Sequence, residues 1–416
     1  MPMSGRQPGC VRLHDMSGPV HPHESRLPDD AIPPGGLAAL FAARFTTNTA
    51  LRFGFSFVAP VSRGLGVSVD QLGLALGLRE LTGLAAPALG RRSDAAGHRR
   101  TSLVAGLGVA SIALFLTAIT ANLVVVTIGL VLFGLGKVAH DTSSNGWLGD
   151  HVPYERRGRA TGIIELSWAL ALVLGIPVMG LLLEATSWRA PFFVCSALVA
   201  VCAVVLDRVL NTHPTMLAPT PPETTLEPIT WRGRLPQGDT RIVIVVMSLI
   251  MLSMQLVTVV FGVWLEDEFG FSVAAVGTAS ILLGLGEAVG AGGSARYTDR
   301  WGKRRSVLIG IVPMVPCLAL LAVDGPATAV VLGLFAVVSI GFEFAFVSAL
   351  PLLTELEPDA RAATVGQAFA GFTFTRAIGT VLGAAAYVRV GIGPVALAAA
   401  IVAAVAFVLL WRRPMR

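Results

Sequence analysis

The chain has 416 residues, of which 54% are hydrophobic and only 14% are charged. Soluble domains carry about 25% charged residues, so this composition excludes a large soluble protein, which needs a greater polar surface. The net charge of +5 comes without a basic, aromatic-interleaved face, so nucleic acid is not an expected partner.

Residues 1–35 contain Pro, Gly, His and mixed charge without an apolar core, which predicts a disordered N-terminal segment. Apolar runs of about 20 residues then repeat, and each is long enough to cross a hydrocarbon core about 30 Å thick as a helix. The first run is too long for a signal peptide and has no small-residue cleavage site, so we expect it to remain as a membrane helix.

The sequence predicts two groups of six membrane spans. Spans 1 to 6 form a bundle over residues 36–210 and lie near 38–62, 70–90, 101–120, 123–147, 160–184 and 189–210. Spans 7 to 12 form a second bundle over 241–416 and lie near 241–265, 273–295, 305–323, 327–352, 363–387 and 392–411. Residues 211–240 are rich in Pro and Thr and lack apolar periodicity, which predicts a linker.

Basic residues concentrate in the loops on one side of the predicted membrane. This basic face holds the loops with Arg91, Arg92, Arg99, Arg100, Arg156, Arg157, Arg159, Arg232, Arg234, Arg296, Arg300, Lys303, Arg304, Arg305 and Arg361, and the tail with Arg412, Arg413 and Arg416. The loops of the opposite face contain only Arg63, Arg189 and Arg389. The positive-inside rule places both termini in the cytoplasm, and we expect a monomeric multi-pass protein of a bacterial inner membrane.

The two halves overlay at an offset of roughly 204 residues. GLGVSVDQLG at 64–73 falls on EFGFSVAAVG at 268–277, and GRRSDAAGHRR at 90–100 falls on ARYTDRWGKRR at 295–305. PYERRGRATG at 153–162 falls on PDARAATVG at 358–366. A duplicated six-helix unit is the architecture of many secondary transporters, with the substrate site between the repeats.

The loop between spans 2 and 3 resembles the signature loop of the major facilitator superfamily (MFS). Its residues are Gly90, Asp94, Gly97, Arg99 and Arg100, and the second copy between spans 8 and 9 has Asp299, Arg300, Gly302, Lys303, Arg304 and Arg305. Ala95 replaces the usual basic residue, and Ala295 replaces the first Gly of the second copy. The resemblance implies an all-α membrane protein with twelve transmembrane helices in two pseudo-symmetric bundles, over roughly 38–411.

In this loop Gly is expected to allow a tight turn, and the two aspartates are expected to make charge-assisted bonds at helix ends. Such bonds can exist in one conformer and break in the other, so the loop is a candidate conformational latch. The alternative is that these charges only anchor a turn on the basic face. Neither role involves contact with the substrate.

Span 5 contains Gly175, Pro177 and Gly180, which partly resemble the Gly- and Pro-rich fifth-helix motif of MFS antiporters. Pro kinks a membrane helix and Gly permits close packing. Span 11, the repeat mate, has Gly379 and Gly383 but no Pro, and this asymmetry favours export over import. The basic fourth-helix motif of the proton antiporters is not matched, because Leu130 stands where Arg is expected.

Polar and ionisable residues inside the spans are candidates for substrate or proton handling in a central cavity. They are Asn48, Arg52, Glu80, Lys137, His140, Asp141, Glu165, Glu287, Glu343 and Arg376. A charge at a helix centre costs about 2.5–3.5 kcal/mol on the insertion scale, so such residues usually face water or a partner charge. The alternative for each residue is a fixed ion pair that holds helices together.

Spacing places several of these residues on common helix faces. Lys137, His140, Asp141 and Ser144 fall at i, i+3, i+4 and i+7 and are predicted to line one side of span 4. His140 is either a proton relay or a plain hydrogen bonder. Arg79 beside Glu80 indicates a locally hydrated stretch of span 2.

Glu343 is the leading candidate for proton coupling, with Asp141 and Glu165 next. The resemblance implies that spans 1, 4, 7 and 10 line the cavity, and the repeat overlay places Lys137 and Glu343 on opposite sides of it. A cation such as Lys137 or Arg52 that moves toward or away from Glu343 would drive release and uptake of a proton.

The preferred hypothesis is a proton-coupled, alternating-access exporter of a small amphipathic compound or drug. An importer or facilitator of a polar anionic metabolite is an alternative, with Arg52, Lys137 and Arg376 as partners of the anion. A non-transporting membrane receptor is a third possibility. The sequence has no phosphate loop, no zinc-ligand spacing and no nucleophile elbow, which argues against an enzyme. We expect no cofactor and no metal, and we expect the proton gradient to supply the energy.

Overall fold

The computed structural model describes residues 35–94, 99–152, 154–211, 237–323, 325, 327–357 and 361–413, and all regular structure within these ranges is helical. The predicted disordered segment at 1–35 and most of the predicted linker at 211–240 lie outside the described residues.

Helices occupy all twelve predicted spans. In the first half they are Gly36–Ser56 with Val58–Leu65, Val69–Glu80 with Leu81–Ala85 and Ala86–Asp94, Arg99–Ile119, Leu123–His151, Tyr154–Leu170 with Ala171–Gly175 and Ile176–Ala185, and Ala190–Asn211. In the second half they are Gly238–Thr258 with Phe261–Phe269, Val273–Trp301, Lys303–Leu320, Thr328–Leu356, Arg361–Val390 and Ile392–Trp411. Most extend a few residues beyond the predicted bounds, because polar helix ends continue past the apolar windows.

Among the described residues, 10 helices are long and apolar enough to cross a membrane by length and composition. The two remaining predicted spans have more polar helices. Span 1 carries Arg44 and Arg52 together with a run of Thr and Asn, and span 9 begins with three consecutive basic residues. A criterion based on hydropathy and charge alone therefore misses spans 1 and 9 as membrane spans, although both helices pack within the bundle.

The turns after spans 1 and 7 have the same geometry at repeat-related positions. Gly66 and Gly270 adopt φ values of 69° and 64°, a left-handed conformation that favours glycine. Two residues later, Ser68 and Ser272 begin the next helices. Ser68 forms a capping box with Gln71, and the Ser272 hydroxyl accepts a hydrogen bond from the Ala275 amide. The repeat in the sequence is thus a repeat of backbone turns and helix caps.

Contacts between the halves lie in the middle of the bundle and at the opposite face. At that face Arg63 pairs with Glu266 at 2.7 Å, and the Glu184 carboxylate accepts a hydrogen bond from the Ala274 amide at 2.6 Å. Spans 2 and 11 pack together through small residues, since a methyl group at Gly77 would lie 3.2 Å from the Ala377 carbonyl oxygen. These contacts close the opposite face.

At the basic face the described ion pairs stay within one half. Arg99 pairs with Asp150 at 2.6 Å, Arg100 with Asp207 at 2.6 Å, and Lys303 with Glu355 at 2.8 Å. The halves are therefore joined at the opposite face and carry no described salt bridge between them at the basic face.

Candidate functional site

A central cavity of about 70 Å³ lies between the two halves. Four helical spans of the second half (7, 8, 10 and 11) and two of the first (1 and 5) contribute its walls. The lining residues are Arg52, Phe55, Ser56, Trp168, Leu172, Met251, Met254, Gln255, Thr258, Phe261, Leu283, Glu287, Phe342 and Arg376. Of the candidates predicted from the sequence, Arg52, Glu287 and Arg376 line this cavity.

Arg52 and Glu287 connect the halves at the centre of the bundle. Two guanidinium nitrogens of Arg52 in span 1 donate to the two carboxylate oxygens of Glu287 in span 8, at 3.2 and 2.5 Å. The guanidinium also lies 3.9 Å from the centre of the Trp168 ring in span 5. Bidentate geometry and stacking on an aromatic ring are what arginine, unlike lysine, provides.

A second charged cluster joins span 2 to span 11. Glu80 accepts hydrogen bonds from Arg79 at 3.1 and 2.8 Å, and its other oxygen lies 3.0 Å from Nε of Arg376. Arg79 also donates to the Leu51 carbonyl oxygen at 3.1 Å and is 1% exposed. The prediction of a hydrated stretch around Arg79 and Glu80 is therefore wrong, because both side chains are buried between helices. With two arginines and one carboxylate, the cluster holds one surplus positive charge.

Glu343 in span 10 lies just outside the cavity wall, next to Phe342, and makes no hydrogen bond or salt bridge with any described residue. Its helix packs on span 8 where a methyl group at Gly290 would lie 2.9 Å from Cβ of Glu343. Gly290 follows Glu287 by one helical turn, toward the basic face. The charges that act on Glu343 are those of Glu287, Arg52 and Glu165.

A third cluster lies in the first half alone. Lys137 pairs with Asp141 at 2.5 Å within span 4, and Arg44 of span 1 pairs with Asp141 at 3.3 Å and with Glu165 at 3.0 Å. Lys137 thus has a salt-bridge partner on its own helix, and no salt bridge joins it to Glu343 among the described residues. The predicted approach of Lys137 to Glu343 does not occur in this conformation; Arg52 takes that place.

Two predicted cavity residues point toward neighbouring helices. The Asn48 amide donates to the Ser167 hydroxyl of span 5 at 3.1 Å, so it joins spans 1 and 5. His140 is fully buried, with Nδ1 3.3 Å from the Leu103 carbonyl oxygen of span 3. The prediction that His140 shares the cavity-facing side of span 4 is wrong, because the i+3 position turns it onto span 3.

The signature loop between spans 2 and 3 has the expected ion pair of Asp94 but not the expected tight turn at Gly90. Gly90 lies within the helix Ala86–Asp94 in open space, so the predicted tight turn at Gly90 is wrong. Asp94 pairs with Arg99 at 3.0 Å inside the loop, and Gly97 lies outside the described residues. The ion pairs of the described loop residues Asp94 and Arg99 join helices of the first half.

In the second loop the turn is at Gly302, whose φ is 87°. Asp299 and Arg300 are exposed on the last turn of span 8. Arg304 donates to the carbonyl oxygens of Leu410 and Trp411, at 3.0 and 2.9 Å, and so caps the end of span 12. Arg100, its repeat mate, pairs with Asp207 of span 6.

The Gly/Pro segment of span 5 packs against the second half. The helix widens to a π-turn at Ala171–Gly175 just before Pro177, as expected where Pro cannot donate to the helical ladder. A methyl group at Gly180 would lie 3.2 Å from the Val273 carbonyl oxygen, and one at Gly277 would lie 3.3 Å from Cα of Pro177. Gly175 instead faces Thr49 of span 1. The segment therefore forms part of the seam that closes the opposite face.

Several residues of the site were missed by sequence reasoning. Asn48, Arg52 and Ser56 follow one another at intervals of four residues on span 1, and Arg44 lies four residues before Asn48, so this spacing would have found it. Gln255 carries no charge and stands among apolar residues of span 7, and no sequence pattern distinguishes it. Its side chain is 5% exposed, lines the cavity, and leaves its Nε2 without a hydrogen-bond partner among the described residues.

Comparisons with known proteins agree with this architecture. A sequence model described as Major Facilitator Superfamily matches residues 37–237 and 243–416. The uncharacterized MFS-type transporter YwfA of Bacillus subtilis (strain 168) is 27% identical over 213 residues, which are 51% of this chain and 52% of YwfA. YceJ of the same organism, also an uncharacterized MFS-type transporter, is 26% identical over 159 residues, 38% of this chain and 39% of YceJ. The chain thus spans about half or less of the length of these curated relatives.

Solved structures share the fold at low identity. The peptide transporter POT in complex with alafosfalin superposes with a TM-score of 0.74 and 15% identity, covering 92% of this chain and 97% of the other. A bacterial homologue of the human lysosomal transporter Spinster, inward-facing and unoccupied, gives a TM-score of 0.72 and 14% identity over 91% and 96% of the two chains. With the family match over nearly all of its length, the chain belongs to the Major Facilitator Superfamily and is a multi-pass membrane protein.

Proposed function

We propose that this chain is a proton-coupled secondary transporter of a small amphipathic compound and that Glu343 binds and releases the proton. The observation that carries the proposal is the position of Glu343: a carboxyl group without a described hydrogen-bond partner, one helical turn from the ion pair of Arg52 and Glu287. Intramembrane carboxyl groups are costly to keep and are frequent in proton relays.

The charges around Glu343 provide a coupling mechanism. Glu287 and Glu165 repel a second negative charge, whereas Arg52 attracts it. Arg52 belongs to the first half and Glu287 and Glu343 to the second, so a rocking motion of the halves changes the distance from Arg52 to both carboxyl groups. Glu343 would therefore bind its proton more tightly in the conformer that moves Arg52 away. This links the protonation of one residue to alternating access.

The substrate is expected in the central cavity, where charged and apolar residues meet. At about 70 Å³ the cavity is smaller than the engineered cavity of roughly 150 Å³ that holds benzene. A drug-sized compound thus requires the halves to open, whereas a small compound requires less movement. We place the basic face in the cytoplasm of a bacterial inner membrane, by the positive-inside rule.

The coupling mode depends on the charge of the substrate. A cationic compound competes with the proton near Glu343 and is exported by exchange, which fits the Gly/Pro segment of span 5. An anionic compound binds best when Glu343 is protonated and is taken up with the proton. The surplus positive charge of Arg79 and Arg376 over Glu80 favours this second candidate.

Reconstitution into vesicles with an internal pH-sensitive dye tests coupling and its sign. Without an initial gradient, an externally added substrate acidifies the lumen if it moves with protons and alkalinises it if it exchanges for them. The compounds would be cationic dyes, antibiotics, sugars and organic acids. Glu343→Gln should abolish the pH change, and exposed Glu268→Gln should preserve it. A pH change of equal size in Glu343→Gln, or transport without any pH change, would contradict the proposal.

A further inference from the structure

Three residues that line the cavity carry unsatisfied hydrogen-bond donors. Arg52 Nε, Gln255 Nε2 and Arg376 Nε are buried and have no hydrogen-bond partner among the described residues. Nε of Arg376 lies at ion-pair distance from Glu80, yet its N–H is misaligned for a hydrogen bond. All three atoms are N–H donors. A buried donor left unpaired is costly, so this set calls for a ligand with oxygen acceptors.

Two of these donors lie close together on the side of the second half. A methyl group at Gly379 of span 11 would lie 2.9 Å from Cβ of Gln255, so the two helices meet there. Gly379 follows Arg376 by one helical turn. The Gln255 amide and the Arg376 guanidinium therefore reach the cavity from adjacent positions on spans 7 and 11.

The charge of the cavity fits a ligand with a single negative charge. Arg52 is compensated by Glu287 through two hydrogen bonds, whereas Arg79 and Arg376 share one carboxylate, that of Glu80. A monoanion would neutralise the surplus at Arg376, and a dianion would leave an excess negative charge in a buried site. A cation would add to the surplus.

Apart from the hydroxyl-bearing Ser56 and Thr258, the remaining walls are apolar. Aromatic rings and thioethers face the cavity, supplied by Phe55, Trp168, Met251, Met254, Phe261 and Phe342. Because the cavity measures about 70 Å³, the apolar body of the ligand must be small. Apolar walls with a few convergent polar groups are the usual design of a small-molecule site.

We infer that the cavity binds a small apolar carboxylate, with its carboxylate on Arg376 and Gln255 and its body against Trp168 and Phe342. This inference deepens the proposed function, on which it rests for the role of Glu343. Glu343, faced by Glu287, Arg52 and Glu165, lies one turn from the cavity, so an anion there favours its protonated form. Substrate and proton thus bind together.

Binding to the full chain in lipid nanodiscs, without a proton gradient, tests the ligand class. The probes are propionate and butyrate, with neutral 1-butanol and cationic butylamine as comparisons, and the readouts are calorimetry and tryptophan fluorescence. We expect at least one carboxylate to bind about tenfold more tightly than both comparisons, as a charge-assisted hydrogen bond provides. Equal or tighter binding of butanol or butylamine, or no binding of either carboxylate, would overturn the inference.

Variants test the assigned residues. Arg376→Gln and Gln255→Met should each weaken carboxylate binding about tenfold. Arg389→Gln, at the exposed end of the same helix as Arg376, should leave it unchanged. Equal weakening by Arg389→Gln, or unchanged binding in Arg376→Gln, would remove Arg376 from the site.

Glu343→Gln separates this inference from the proposed function. The variant mimics the protonated state, so it should bind the carboxylate at pH 8 at least as tightly as the unmodified chain, while its proton-coupled transport is lost. Weaker binding in Glu343→Gln would contradict joint binding of anion and proton. Retained proton coupling in Glu343→Gln would contradict the role of Glu343 and leave the carboxylate assignment standing.

Discussion

Arg52 and Glu287 form a bidentate ion pair across the boundary between the two halves, with oxygen–nitrogen distances of 3.2 and 2.5 Å. The two residues are 8% and 7% exposed, so both charges are shielded from water. The free-energy cost of burying either charge therefore depends on the presence of the other, because an unpaired buried charge is far more costly than a paired one.

Removing one member of this pair should destabilise the folded protein strongly. We expect Glu287→Gln or Arg52→Gln to lower the free energy of unfolding by about 3–5 kcal/mol, and the double variant to lose less than the sum. Unfolding in detergent micelles with increasing denaturant measures this. Arg63→Gln is the control, because that pair has an arginine side chain that is 60% exposed and should be worth about 0–1 kcal/mol. Additive losses in the double variant would mean that the two charges do not depend on each other.

Glu184 should hold the opposite face closed. Its carboxylate, from the first half, accepts a hydrogen bond from the Ala274 amide in the first turn of span 8 in the second half. Loss of a capping group costs about 0.5–2 kcal/mol, so Glu184→Ala should raise the population open at the opposite face about two- to thirtyfold. Spin labels on spans 5 and 8 at this face measure the distance distribution. A distribution unchanged from that of Glu268→Gln, an exposed control, would rule out this role.

Gly277 should be required for closure of the same seam. A methyl group there would lie 3.2 Å from the Ile176 carbonyl oxygen and 3.3 Å from Cα of Pro177, so Gly277→Leu should wedge spans 5 and 8 apart. Transport should fall sharply, and a cysteine placed in the cavity should become accessible from the opposite face. Gly292→Leu lies on the same helix in open space and should behave like the unmodified chain. Equal effects of the two substitutions would show that closure does not depend on close approach at Gly277.

Asp94 should affect the conformational equilibrium more than stability. Its side chain is 55% exposed and, among the described residues, forms its salt bridge with Arg99, which also pairs with Asp150. Asp94→Asn should change the free energy of unfolding by less than about 1 kcal/mol, as for other exposed pairs. If the loop acts as a latch in the other conformer, the rate of transport should fall nonetheless. A large loss of stability with a normal rate per folded molecule would instead indicate an anchor.

Much of this architecture follows from local sequence. Apolar runs of membrane-spanning length predicted helices at all twelve spans, and the repeated segments at 64–73 and 268–277 predicted a duplicated unit, in which Gly66 and Gly270 form equivalent turns. These features depend on hydropathy and on backbone conformations that only a few residue types adopt. The free-energy cost of a charge in a membrane likewise makes Arg52, Glu287 and Arg376 candidates for the central cavity from the sequence alone.

The pairing of those charges was decided by tertiary structure. Arg44 of span 1 pairs with Asp141 of span 4, and His140 turns onto span 3, because a helical face a few residues wide contacts more than one neighbour. In the sequence, nothing distinguishes Gln255 from other polar residues in apolar spans. Its place in the cavity wall, beside span 11, is visible only in the folded protein. Sequence spacing determines which residues share a helix face. Only the packing of the twelve helices determines what that face contacts, since this depends on small residues such as Gly277 and Gly379 in other parts of the chain.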